Sequence, residues 1–258
     1  MIITVIYSKR RKTNMTNQER FENLMEMAKH RDGWEGLMNY IRKSDFYKAP
    51  ASTRFHLSCE AGLLQHSLNV YDALIGRLVD VTETDEMVYQ VAGKTVASFK
   101  KETLALVALL HDLCKTNFYT IEYRNQKTYD KDKIAKASSY SVKKDNGGHF
   151  IWEQVPVYTI DDKNPYGHGE KSVMMIEEFM KLTMEERYAI RWHMGMSEEN
   201  NAGRMAFNAS CEKYPLVLLL HNADMEASHF MEDLKENKED FIGCEESDAE
   251  VFQEALPV

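Results

Sequence analysis

The sequence has little cysteine: four residues in 258, at positions 59, 114, 211 and 244, with no Cys-x-x-Cys pair. That leaves no disulfide framework and fits a reduced, cytoplasmic setting. Long apolar runs are also missing. The longest lie near 104–110 and 216–220, far short of the ~20 residues a membrane span needs, so no membrane partner is expected. Basic excess is absent too: 32 Lys and Arg stand against 41 Asp and Glu, for a formal charge of -9. This argues against a general nucleic-acid coat, yet leaves room for a local basic pocket that takes a phosphate. The first residues run apolar and then basic, the reverse of a secretory signal, and no small-residue cleavage site follows. Residues 1–15 are expected to be a disordered extension, with Met15 an alternative start. There is no internal repeat and no low-complexity block.

What is present is mostly helical periodicity. Residues 16–60 read as an N-terminal helical cap, with Phe21, Leu24 and Met25 on one stripe and a loop around Pro50. Leu64, Leu68, Tyr71, Ile75 and Leu78 mark the clearest amphipathic helix, over 61–80. The stretch 81–100 is expected to be a further helix, loose at Gly93. Residues 101–114 are apolar nearly all round, which predicts a central helix. The least helical part, 117–166, holds NFYTIEYRN and FIWEQVPVYTI around a Lys-rich, Gly-Gly-containing segment. Its Tyr, Ile and Val content predicts an inserted β-hairpin with a long mobile tip. Helix resumes over 168–182 and 184–194. Residues 201–214 read as irregular, and Pro215 suits the first turn of a last buried helix. The acidic stretch 232–258 reads as a solvated helix or tail without chemistry.

Polar, metal-capable side chains recur inside these apolar helices: His66 in GLLQHSLNV, His111 and Asp112 in VALLHDLCK, His168 in YGHGEKS, His193 in IRWHMG and Asp224 in LLLHNADMEAS. A lone histidine in such a place is more often a satisfied core residue than a ligand. Six such groups on five helices need buried partners together. A divalent cation is the simplest common partner, and imidazole with carboxylate suits Mn, Fe, Co, Ni or Zn. Cys114 reads as a small core residue.

The order His66, His111-Asp112, Asp224 resembles the signature of the HD-domain superfamily of metal-dependent phosphohydrolases. GLLQHSLNV, HDLCK and HNADMEAS are each similar to that family's motif helices, over about residues 56 to 230. His168 and His193 resemble the extra ligands of its binuclear branch. One departure is Cys114, where the family usually has glycine. The resemblance implies a mainly α fold: an HD-type helical bundle over 16–231, with the hairpin insertion at 117–166 overhanging the cleft. It implies one or two divalent transition metals. His66, His111, Asp112 and Asp224 would hold the first, and Asp112 would bridge to a second held by His168 and His193. Asp112 and Lys115 would be the catalytic pair, with Lys115 neutralising a phosphate oxygen. Lys115, Arg124, Tyr166 and His56 are the expected substrate contacts. Tyr119, Tyr123, Trp152 and Tyr158 are further candidates for stacking on a base.

The function this implies is hydrolysis of a phosphoester in a nucleotide or short oligonucleotide by metal-activated water. A small-molecule nucleotide is the expected partner, with short single-stranded nucleic acid second. Two alternatives use the same residues: an HD-type di-iron oxygenase, and a non-catalytic nucleotide-binding protein with a structural metal site.

Overall fold

The computed structural model describes residues 15–81, 83–196 and 201–232. The chain opens with α1 (Asn17–Met25), started by a capping box in which the Thr16 hydroxyl and the Glu19 carboxylate each serve the other's backbone N–H. A 3-10 turn leads to α2 (Trp34–Lys43). α3 (Gly62–Ile75) is buried over most of its surface, as an apolar sequence interrupted by only a few polar residues dictates.

A three-stranded sheet follows, not the helix expected over 81–100. Its strands β1 (Val79–Asp80), β2 (Glu86–Val91) and β3 (Lys94–Lys100) are antiparallel in that order. Met87 and Phe99 sit opposite each other in the register and fasten the sheet to the core. The turn is two residues, Ala92 and Gly93, both at positive φ (49° and 76°). That is the backbone that lets a tight hairpin follow the right-handed twist of its strands.

α4 (Lys101–Leu110) comes next, with eight of its ten residues buried. A second sheet grows from the insertion. β4 (Tyr119–Thr128) pairs with β6 (Gly148–Ile160) over ten residues, and β5 (Lys143–Asp145) lies on the far side of β6. Between β4 and β5 sits a short α5 (Lys131–Lys136), capped by the Asp130 carboxylate. The helices α6 (His168–Glu177), α7 (Met184–Arg191), α8 (Asn201–Lys213) and α9 (Pro215–Glu226) complete the order. Residues 201–213 are therefore helical, against the irregular connection the sequence suggested.

The expected mainly α bundle is corrected accordingly. Helix makes up about 48% of the structure, and two three-stranded antiparallel sheets make it a mixed α/β fold. One core runs through α1 to α4, α6, α7 and α9, with Met87 and Phe99 included. No helix among the described residues is long and apolar enough to cross a membrane. Residues 1–14 and 233–258, read from sequence as an extension and an acidic tail, lie outside the described residues.

Candidate metal centre

The three most apolar helices bring the polar residues together. His66 lies in the middle of α3, Asp224 near the end of α9, and His111 at the C-terminus of α4. Asp112 leaves helical geometry (φ -104°, ψ 20°), and a 3-10 turn, Leu113–Lys115, follows it. This break turns Asp112 inward beside His111 and aims Lys115 back at it. His168 opens α6, and His193 closes the turn after α7. These last two meet because Gly169 lets the start of α6 press on the end of α7. A Cβ there would stand 2.2 Å from the Arg191 carbonyl oxygen.

Asp112 sits at the centre. Its Oδ2 lies 2.6 Å from Lys115 Nζ and 3.5 Å from both His66 Nε2 and His111 Nε2. Its Oδ1 lies 2.8 Å from His168 Nε2 and 3.4 Å from His193 Nε2. The two oxygens thus face two different groups of imidazoles. His66 Nε2 is also 3.2 Å from Asp224 Oδ1. Four overlapping sets have ligand atoms within 4.8 Å of one another: His66, His111 and Asp224; His111, Asp112 and His193; Asp112, Cys114 and His168; and His56, His66 and Glu232. A cluster of buried His, Asp and Cys that can bind a metal is therefore present.

The donor chemistry fits a cation. His111 Nδ1 lies 2.8 Å from the Ala108 carbonyl oxygen, and His193 Nδ1 lies 2.7 Å from that of Ile190. A carbonyl only accepts, so each Nδ1 carries the proton and each Nε2 offers a lone pair to the cluster. His66 Nδ1 donates to the Glu232 carboxylate at 2.9 Å, with the same result. His66 Nε2 and His111 Nε2 then stand 3.2 Å apart. Two lone pairs at that distance repel unless a proton or a cation lies between them. His193 Nε2 is fully buried and has no hydrogen-bond partner, an orphan of the kind that a ligand satisfies.

Without a cation, protons take its place. Burial opposes charge on His66, but the Glu232 and Asp224 carboxylates outweigh it and raise its pKa to about 10. Burial likewise opposes charge on His168, yet Cys114 and Asp112 hold it near 10. Burial, aided by the neighbouring His193 and His66 and opposed by Asp112, pushes His111 down to about 3, so it is neutral. Burial would raise Asp112, but Lys115 and the surrounding imidazoles hold it well below the carboxylate range. Burial also disfavours the Lys115 ammonium, and Asp112 more than compensates. Both members of that pair are charged at neutral pH.

Of the other sequence candidates, His56 comes close. Its ring lies 5.0 Å from that of His66, and burial with the His66 charge lowers its pKa to about 4. Arg124 does not join the cluster. It points to solvent from the middle of β4, with Glu122 as its ion-pair neighbour at 3.6 Å. Tyr166 is 62% exposed on the approach to α6, and no contact ties it to the ligands. Cys114, read as plain core, places its sulfur 3.3 Å from His168 Nδ1 and so helps to orient that ring.

Glu232 is a residue that sequence reasoning missed. A π-helical segment, Ala227–Met231, continues α9 and returns the chain to α3, a local widening frequent at functional sites. It seats Glu232, 3% exposed, on His66 Nδ1, where Asn69 Nδ2 also donates to it at 3.0 Å. A carboxylate behind a ligating histidine fixes the tautomer and raises the ligand's basicity. Glu232→Ala should therefore weaken divalent-cation affinity about 10- to 100-fold, with Glu232→Gln between it and wild type. Competition of Mn²⁺ or Zn²⁺ against a coloured chelator measures this, and unchanged affinity in Glu232→Ala would remove the carboxylate from the role.

In comparisons with known proteins, no family model, no curated protein and no solved structure matches the chain.

Proposed function

We propose that this chain is a metal-dependent phosphohydrolase that cleaves a phosphoester of a nucleotide or short oligonucleotide. The observation that carries the reading is the split of Asp112: one carboxylate oxygen faces His66 and His111, the other His168 and His193. A carboxylate so placed suits a bridge between two cations. The resemblance to HD-domain motifs in the same residues supports it. His66, His111, Asp112 and Asp224 would hold one divalent ion, and Asp112, His168 and His193 a second. Bound there, such ions supply a water of lowered pKa and a charge clamp for the phosphoryl group.

The chain's own residues do the rest. Three histidines are locked by their Nδ1 hydrogen bonds, so their donor atoms need no reorganisation. Lys115, which keeps its proton beside Asp112, would neutralise a non-bridging phosphate oxygen. The apolar shell of α3, α4 and α9 excludes bulk water and strengthens these charges. Mn, Fe, Co, Ni and Zn all suit the nitrogen and oxygen donors.

Phosphate or nucleoside release from a panel of nucleotides and short oligonucleotides, with Mn²⁺-loaded protein, tests the proposal. Release by wild type and not by Asp112→Ala is the expected result. Silence across the panel with metal bound, joined to tight iron binding and oxygen uptake, would replace this reading with an oxygenase.

A further inference from the structure

One face of the inserted sheet carries exposed rings and apolar side chains. In the β4–β6 register Ile121 is opposite Tyr158, Tyr123 opposite Pro156, and Lys127 opposite Trp152. Directly opposed residues share a face, and the face repeats every second residue. This face therefore carries a row of rings and apolar side chains, with Tyr123 69%, Ile121 56% and Trp152 48% exposed. On the opposite face Lys133 of α5 bonds to Glu153 at 2.9 Å, while Glu122 and Arg124 stay exposed. The polar pair Asn125–Gln154 interrupts the row between Pro156 and Trp152, and the exposed rings on either side of it mark a candidate interaction site.

The row leads somewhere. At its base Tyr119, Ile121 and Tyr158 form one wall of an open cleft of about 360 Å³, and Asp45, Lys48 and Pro50 form the other. Tyr119 is four residues from Lys115 and lies within electrostatic range of both Lys115 and Asp112. The row thus runs from the sheet's outer end to the cleft, at the end of β4 where the chain arrives from Lys115 and the candidate metal centre. Along β4, Tyr119 to Lys127 spans about 27 Å, long enough for several nucleotides.

The face carries two lysines, Lys143 and Lys127, and the Lys127 ammonium is paired with the Asp145 carboxylate on the same face at 2.5 Å. Lys127 lies over the rings of Phe150 and Trp152, at 4.5 and 5.9 Å. Lys143, paired with Phe150 across the strands, is exposed on the same side. Residues 119–160 hold seven Lys and Arg against five Asp and Glu, a net +2 in a chain of net -9. Aromatic rings spaced along a basic-edged surface are what non-specific single-strand binding requires, since every base has a face to stack.

We propose that this face of the inserted sheet is a track for single-stranded nucleic acid, which feeds a strand end through the Tyr119–Tyr158 cleft toward the metal centre. The delivery role rests on the phosphohydrolase reading; the binding role does not. Fluorescence anisotropy with the full chain and a labelled, cleavage-resistant phosphorothioate strand of about twelve nucleotides tests it. The strand should bind with an affinity that falls as salt rises. Tyr123→Ala combined with Trp152→Ala should weaken binding by about tenfold or more. Lys143→Glu, a surface change with no packing to lose, should weaken binding and flatten the salt dependence. Any of four results overturns the proposal: no binding at low salt, undiminished binding by the aromatic double variant, full competition by a nucleoside monophosphate, or dimerisation through this face without strand binding. Strand binding needs no turnover, so silence in the phosphate-release assay and silence here are separate results.

Discussion

Asp112→Ala is expected to lower the proposed phosphoester hydrolysis by about a thousandfold or more and to weaken cation binding at both proposed positions together. The reason is its position. Its two oxygens reach His66 and His111 on one side, His168 and His193 on the other, and among the described residues no other carboxylate does both. His193→Ala should behave differently, removing one ligand from one side only, so that the second cation is lost preferentially. Metal content by mass spectrometry, next to turnover, separates the two variants. Equal loss of both cations in His193→Ala would count against the division of ligands argued above. Lys115→Ala should slow turnover with metal retained, because the ammonium touches Asp112 and not the imidazoles.

Stability needs its own control in that experiment. Asp112 is 2% exposed and its ion pair with Lys115 is buried. Removing the carboxylate leaves an uncompensated ammonium, at a cost of about 3–5 kcal/mol. Asp112→Ala with Lys115→Met separates the effects: it should recover folding and not activity. Activity that returns with folding would mean that Asp112 acts only as a counter-ion.

Legibility in the sequence followed the type of interaction. The helices that hold His66, His111 and Asp224 could be read because each is a largely apolar segment with a few polar intrusions, and burial then demands partners. The β1–β3 sheet could not. Its hairpin turns on Ala92-Gly93, which lacks the Asn-Gly or Asp-Gly pair that advertises a two-residue turn. The α8 helix, NAGRMAFNASCEK, buries only Phe207 and Ser210 and contains residues of low helix propensity. Tertiary contact with α9, not local preference, holds it. Glu232 was hidden for another reason: an acid at the head of an acidic stretch looks solvated, and its partner His66 is 166 residues away. Arg124 and Tyr166 failed in the opposite direction. Sequence nearness to Lys115 and His168 suggested reach, but a ten-residue strand carries Arg124 away from the centre.

Glu186→Ala is expected to destabilise the fold by about 3–5 kcal/mol, without touching a ligand. This carboxylate is fully buried. It takes both ends of the Arg31 guanidinium at 2.9 Å, the Thr103 hydroxyl at 3.0 Å and the Thr183 backbone N–H at 2.8 Å. It therefore ties the turn before α2 to α4 and completes the capping box of α7. These are the helices whose far ends carry His111 and His193. The alanine variant strands a half-buried guanidinium and opens the cap. In a chain of this size such a loss lowers the melting temperature by about 10 °C. The acid side follows from the same contacts. Burial would raise the Glu186 pKa, but Arg31 and the Thr183 N–H outweigh it and hold it below its ordinary 4.5. A carboxylate whose folded pKa is depressed contributes stability above its unfolded pKa, and that contribution is lost as pH falls through the folded value. Wild type should lose stability steeply below about pH 4.5, and Glu186→Gln should show a shallower fall over the same range. Urea melts of both proteins from pH 7 down to pH 3 measure the slope. Parallel curves would show that the Glu186 carboxylate is not the group whose protonation loosens the α4–α7 contact beneath the metal centre.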